Sequence, residues 1–353
     1  MKQGWEYKKL GEICYITMGQ SPDGKSINDN EGVEFHQGKT CFGERTLGVS
    51  SLFSNAPVKL AEAHSVLLCV RAPVGYPNIT NRKICIGRGL CALYAKKDID
   101  NTFLFYSLLG KQSHFEKNAT GSTFKAISSK VISNTEIPLP PKSIQLAIVS
   151  ELDKINELIR LKKEQLKDYD NLAQSIFYEM FGDPVENEKG WEVKKLGDVC
   201  TDIRYGTSKP ACENGCYKYL RMCNITDDGF LNLSNLKTID IPDDEIEKCI
   251  VRHGDILFNR TNSIELVGKT CMFDNSEPMV IAGYIIRVRL NERLLPVVLA
   301  RMFNLVSIKK KLRSMAKGAV NQANINSKEL ASIRIPLPPL PLQHLFAQRI
   351  EQI

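Results

Sequence analysis

Between Glu292 and Glu329 the chain carries no acidic residue, yet it holds Arg293, Arg301, Lys309, Lys310, Lys311, Arg313 and Lys317. An earlier stretch is a weaker parallel: Lys111, Lys117, Lys125 and Lys130 stand between Asp100 and Glu136 with Glu116 as the intervening acid. Basic side chains on helix ends that lead into glycine loops suit contact with phosphates, which supplies salt-dependent affinity and little sequence information. A solvated helix face would carry the same charges, but the recurrence of the feature favours phosphate. Reading base edges needs forked or amide side chains, because Arg pairs bidentately with guanine and Asn or Gln with adenine. Candidates stand after the glycine that closes each basic stretch: Ser122, Thr123 and Lys125 in the first, Asn321, Gln322 and Asn324 in the second. Arg71 and Arg260 align between the copies at an offset of 189 and follow expected strands. Gln20, Gln37, Lys39, Arg221, Asn224, Asn259, Thr261 and Asn262 are further loop candidates. Any single one could equally bond its own turn; the expectation rests on the set.

Catalytic constellations are not apparent. No Asn-Pro-Pro-Tyr or Asp-Pro-Pro-Tyr tetrapeptide for amino-methyl transfer occurs, there is no P-loop, and Gly87-Arg88-Gly89 is only a fragment of a glycine-rich cofactor loop. Cys212, Cys216 and His253 make a weak zinc pattern, since Cys-x-x-x-Cys lacks a second close pair. No catalytic residue, metal or cofactor is therefore expected on this chain. With 47 Lys+Arg against 40 Asp+Glu the net charge is +7, which permits a polyanionic partner without demanding one. The 11 cysteines lack disulfide-framework spacing and the N-terminus has no apolar signal core. Apolar runs such as Ser65–Val70 fall far short of the roughly 20 residues a membrane span needs. A cytoplasmic chain with reduced thiols and no membrane span is expected.

The elements that position these residues come in two copies. IPLPPKSIQ at 137–145 returns as IPLPPLPLQ at 335–343, and WEYKKLGEIC at 5–14 returns as WEVKKLGDVC at 191–200. The bookends repeat while the contents diverge, as when one architecture carries two recognition surfaces; the long period argues for duplicated domains. Short apolar runs (Ser65–Val70, Ile84–Ile86, Tyr217–Met222, Asp255–Phe258, Val280–Leu290) read as strands, and Thr102–Phe115 and Leu295–Met315 as helical. The fold class expected is mixed α/β, with two similar globular domains in an internal repeat.

Between the copies, Leu152, Ile155, Ile159, Leu166, Tyr169, Ala173, Ile176 and Met180 follow steps of three and four, interrupted by Lys162. This heptad seam predicts a helix over Ser143–Phe181, starting after Pro140-Pro141 and stopping at Gly182-Asp183-Pro184. The chain thus divides into 1–140, a first recognition domain; 141–182, a coiled-coil spacer; 183–338, a second recognition domain; and 339–353, the start of a second helix.

Several short phrases, in order and twice over, resemble the specificity subunit of type I restriction-modification systems. They are the W-x-x-K-K-L-G entries, the turns Gly19-Gln20-Ser21-Pro22 and Gly206-Thr207-Ser208, FHQGK at 35–39, YLRMCNI at 219–225, GDILFNR at 254–260 and the I-P-L-P-P-x-x-x-Q exits. The resemblance implies two target-recognition domains, each reading one half of a split double-stranded DNA site, on helices that pair as an antiparallel coiled coil. It implies no catalysis on this chain. Methyltransferase subunits would dock on the helices and bring S-adenosylmethionine, and restriction subunits would join through them with ATP and Mg. The second copy ends at Ile353, equivalent to Ile155, so most of the partner for the central seam is missing from the family pattern. The expectation is a shortened form, or self-association through the central helix. A coiled-coil interaction scaffold without sequence-specific DNA binding is the competing reading.

Overall fold

The computed structural model describes residues 5–121, 125–319 and 322–353. The chain forms two compact units, Met1–Leu161 and Lys162–Ile353. In the first, four antiparallel strands lie in the order Cys14–Met18, Leu90–Ala95, Val66–Cys69, Pro77–Ile79. A second sheet runs Ile27–Asn28, Phe53–Ser54, Val33–His36, Ile84–Ile86, Leu60–Ala61, with Val33–His36 and Ile84–Ile86 parallel. The second unit repeats this plan: Cys200–Tyr205, Ile285–Leu290, Ile256–Asn259, Thr270–Met272 in one sheet, and Lys237–Ile239, Tyr217–Leu220, Met279–Ile281, Ile250–Val251 in the other. Again one central pair is parallel.

Core partition follows from strand geometry. In Val66–Cys69 every side chain is buried, but Val66 and Leu68 enter the cluster built with helix Asn101–Leu109, whereas Leu67 and Cys69 enter the cluster with Leu47 and Ile84. Successive side chains point to opposite faces, and both faces are covered, so the strand reads as an unbroken apolar run. Ile256 and Phe258 part from Leu257 in the same way. The expectation of one strand over Val280–Leu290 is corrected: Met279–Ile281 and Ile285–Leu290 belong to different sheets. Between them Ala282–Tyr284 carries the chain across, which a continuous apolar run does not reveal.

The repeated bookends are a single structural device. Glu6–Lys9 pairs antiparallel with Glu136–Leu139, and Glu192–Lys195 with Arg334–Leu337, so entry and exit of each copy close on one another. The glutamine ending each exit phrase is fully buried. Gln145 Nε2 donates to the carbonyls of Asp98 and Pro140 and its Oε1 accepts from Asp100 N–H. Gln343 makes the same three bonds, to Arg293 and Pro338 carbonyls and from Leu295 N–H.

The central helix is continuous over Lys142–Phe181, 40 residues, or about 60 Å at 1.5 Å per residue. Its seam behaves in two ways. Ala173 is buried, and Ile176 and Met180 pack against the second unit's core beside Phe177 and Phe181, whose rings meet Phe346 of helix Leu340–Glu351 edge-on and tilted. Ile155, Ile159, Leu166 and Tyr169 are exposed, Leu166 at 65% and Ile155 at 51%, while Leu152 is half-buried.

Candidate nucleic-acid interface

In each unit the strand ends converge on one rim. Strand Cys14–Met18 runs out into Gly19-Gln20, where Gly19 N–H donates to Leu90 O and Gln20 N–H to Ile86 O. A Cβ on Gly19 would meet Gly87 O at 2.1 Å, so only glycine permits this approach. Ser21 Oγ then donates to Gln37 Oε1 at 2.8 Å, and Gly89 N–H to Gln37 O at 3.1 Å. Val70 N–H donates to Gly89 O, and Arg71 bridges Ala126 of the following loop. A cleft of about 180 Å³ opens between Gln37, Lys39, Arg71 and Gly89. Gln20, Gln37, Lys39, Arg71 and Lys125 are all exposed.

The second unit builds the equivalent rim with different side chains. Gly206 N–H donates to Ile285 O and Thr207 N–H to Ile281 O; a Cβ on Gly206 would meet Ile281 O at 2.1 Å. Gly283 N–H donates to Thr207 O and Arg260 N–H to Tyr284 O. Arg260 lies 4.7 Å over the Tyr205 ring, a cation–π contact that holds the guanidinium at the rim. Thr261 pairs with Asn324 in a three-stranded sheet with Lys317–Ala319, and Thr261 Oγ1 donates to Asn324 Oδ1 at 3.1 Å. Arg221 donates to Asn235 O. Asn259 is fully buried, and neither of its amide atoms meets a partner among the described residues.

These registers revise the pairing of the two arginines. Cys69 stands opposite Leu90 and Asn259 opposite Ile285, and Ile127 N–H reaches Val70 O as Ile325 N–H reaches Arg260 O. Arg71 is therefore the counterpart of Thr261, and Arg260 that of Val70; the 189-residue spacing misses the register by one, which turns a side chain to the opposite face. Asn224 is also not available to a base: it is buried, its Nδ2 donating to Asn232 and Ser234 carbonyls and its Oδ1 accepting from Arg221 N–H. Asn262 is half-buried, its Oδ1 accepting from Ser263 N–H.

The basic stretch folds back on its own unit. Lys309 Nζ donates to Asp227 O, Lys311 Nζ to Arg334 O and Arg313 to Glu265 O, while Arg293 pairs with Glu192 and Arg301 with Asp170. Burial lowers the Lys309 pKa from its ordinary value, against the nearby Asp227. Lys310 is exposed and has no hydrogen-bond partner among the described residues. Ser122, Thr123 and Asn321 lie outside the described residues; for Lys317 and Gln322 only the strand backbone is described. Sequence reasoning missed Arg88, Thr207 and Tyr284 as rim residues. The matching turns at Gly19 and Gly206 put Thr207 at the position of Gln20. Among the described residues no group of three or more His, Cys, Asp or Glu is arranged to hold a metal.

A family model described as the type I restriction modification DNA specificity domain matches residues 2–168 and 188–353. The MjaX type I restriction enzyme specificity subunit of Methanocaldococcus jannaschii is 39% identical over 178 residues, covering 49% of this chain and 42% of that protein. The MjaIX specificity subunit of the same organism is 26% identical over 59% of this chain and 54% of its own length. The aligned region thus spans about half of each of these two relatives. The MjaVIII specificity subunit is 24% identical over 99% of this chain and 86% of that protein. A crystal structure of the S subunit of a type I restriction-modification system from M. genitalium matches with a TM-score of 0.51 at 16% identity, covering 99% of this chain and 91% of the other, a likeness of fold.

Proposed function

Since the chain belongs to the type I restriction modification DNA specificity domain family, we propose that it is the DNA-reading subunit of a type I restriction-modification complex and performs no catalysis itself. Each recognition domain, 1–140 and 183–338, reads one half of a bipartite double-stranded site through its rim. The helix over 141–182 sets the separation, so that two short readings become one long address. The observation that carries this reading is one rim built twice on the same backbone bonds from different side chains. Gln20 and Gln37 in the first copy are answered by Thr207 and Arg221 in the second, while the exposed Arg71 is answered by Thr261, which is buried with its hydroxyl on Asn324. Divergent readers on a common frame suit two unlike half-sites.

The exposed apolar stretch Ile155–Tyr169 supports docking of methyltransferase subunits, with self-association as the alternative cover, because a bare stripe of this kind marks an interaction surface. A solved structure described as the basis of complex assembly and conformational transition of the type I R-M system is similar in fold, with a TM-score of 0.54 at 21% identity over 100% of this chain and 90% of the other. S-adenosylmethionine, ATP and Mg belong on the partner subunits in this scheme, restriction subunits join through the methyltransferase, and the complex works in the cytoplasm. The test is selection of duplexes from a random pool by the purified chain, followed by a salt titration. A split motif is expected, with log affinity falling linearly in log salt. Unselective, salt-insensitive retention would instead favour the protein-interaction scaffold.

A further inference from the structure

The second unit contains a cavity of about 610 Å³ between helix Pro296–Asn304, helix Leu340–Glu351 and the hairpin loop around Asp228. Val297, Ala300, Ile350 and Phe230 give it an apolar floor, and Asp228, Asp274 and Glu351 border it. None of these three carboxylates makes a salt bridge among the described residues. His253, His344 and Arg301 also line it, but Arg301 is engaged by Asp170 at 3.2 Å and lies 5.1 Å over the Phe230 ring.

The first unit shows what such a place holds when it is filled. There Arg45, at the tip of hairpin loop 43–46, donates to Asp153 Oδ1 at 2.7 Å and to Thr102 Oγ1 at 3.1 Å. Its guanidinium sits 5.8 Å over the Tyr106 ring, and the Tyr106 hydroxyl donates to the same Asp153. The positions correspond by structure. Asp153 and Glu351 each stand eight residues beyond the buried glutamine of their exit phrase, at 145 and 343. The Phe42–Leu47 bridge closes the hairpin that carries Arg45, and the Ile225–Leu231 bridge closes the one that carries Asp228-Gly229. Tyr106 and Arg301 each stand six residues beyond the N-cap of their helix, Asp100 and Leu295. The second copy has therefore kept the helix carboxylate, lost the arginine that covered it, and put an aspartate at the hairpin tip.

We propose that this groove receives an arginine side chain of a partner polypeptide. Its methylene stem would lie on Val297, Ala300 and Ile350 and its guanidinium would reach Glu351 and Asp228, as Arg45 reaches Asp153 in the first copy. A carboxylate rim repels phosphate, so the groove is no part of the DNA-reading surface, and a guanidinium matches carboxylates by its forked, charge-assisted hydrogen bonds. The inference stands on the cavity and the internal comparison and does not depend on DNA reading.

The test is an NMR titration of the full chain with acetyl-Leu-Arg-Leu-amide, beside the same peptide carrying citrulline, which keeps the shape and removes the charge. Saturable shifts are expected at Val297, Ala300 and Glu351, with the citrulline peptide weaker by about tenfold or more. Asp228→Arg, which puts a guanidinium where the first copy has one, should abolish those shifts, and Glu351→Gln should weaken binding about tenfold. Both positions are at the surface, so a retained backbone spectrum confirms that each variant is folded. Absence of saturable shifts with the wild-type chain, equal binding of the two peptides, or undiminished binding to Asp228→Arg would each overturn the proposal.

Discussion

Replacing Gln343 by alanine removes the side chain that ties the start of helix Leu340–Glu351 to the second unit. Three hydrogen bonds are lost, at 2.8, 3.0 and 2.8 Å; Pro338 C=O is left buried without a partner, and Leu295 N–H and Arg293 C=O lose theirs. At about 1 kcal/mol net for each, plus the space left by a fully buried side chain, the loss should be about 3–5 kcal/mol, a large share of the roughly 5–15 kcal/mol that stabilises a domain. The protein supplies its own reporter. It has two tryptophans, Trp5 and Trp191, and Trp191 Nε1 donates to Phe181 O within the second unit. In a Trp5→Phe background, urea unfolding followed by Trp191 fluorescence should show a lower midpoint for Gln343→Ala at unchanged slope. Gln145→Ala should leave that transition in place, because its partners Asp98, Asp100 and Pro140 all lie in the first unit. A loss below about 1 kcal/mol for Gln343→Ala would show that the strand ribbon alone holds the helix, and the account of the repeated phrase would fail.

Three further outcomes are expected. Glu34 is held by Arg82 Nε and Nη2, each at 2.6 Å: burial alone would push its carboxyl up, but the Arg82, Ser50 and His36 bonds bring it down to about 2 from 4.5. A lowered folded pKa stabilises above pH 4.5 and loses that contribution as pH falls toward 2, so Glu34→Gln should cost about 3 kcal/mol at neutral pH and flatten the acid limb of a stability profile. Arg71→Ala should relax base preference in one half-site by about 1–3 kcal/mol at a single position, and Lys310→Ala should lower the salt slope by about 1, both read by quantitative binding. Lys309→Ala, whose amine is already bonded to Asp227 O, should leave that slope unchanged. Leu166→Lys, at a site 65% exposed, should change folding stability by less than about 0.5 kcal/mol while weakening capture of the methyltransferase subunit in a pull-down.

What the sequence disclosed and what it hid divide along physical lines. The long helix, the turns at Gly19 and Gly206 and the exit phrases were legible because each depends on local chemistry: a heptad pattern, turn residues, prolines before a helix. The pairing of entry with exit strands was not, although both phrases were visible, because nothing local says that two repeats touch. Val280–Leu290 misled for a related reason, since strands buried on both faces leave no alternation to mark where one sheet yields to the next. Of the candidate readers, Gln20, Gln37, Lys39, Arg71 and Lys125 are exposed. Asn224, Lys309 and Lys311 show the limit: residue type suggests what a side chain could bind, while its neighbours decide whether it is still free. The second unit's groove had no sequence signal, and only comparison with Arg45 in the first exposes it.

The central claim is that two rims on one repeated frame each read half of a DNA address. The most direct measurement maps methylated adenines across the genome of cells in which residues 15–135 have been exchanged for the same stretch of a relative, leaving 183–353 untouched. One half of the methylated motif should change while the other half and the spacing between them stay the same. A motif unchanged in both halves, or altered in both, would contradict the account.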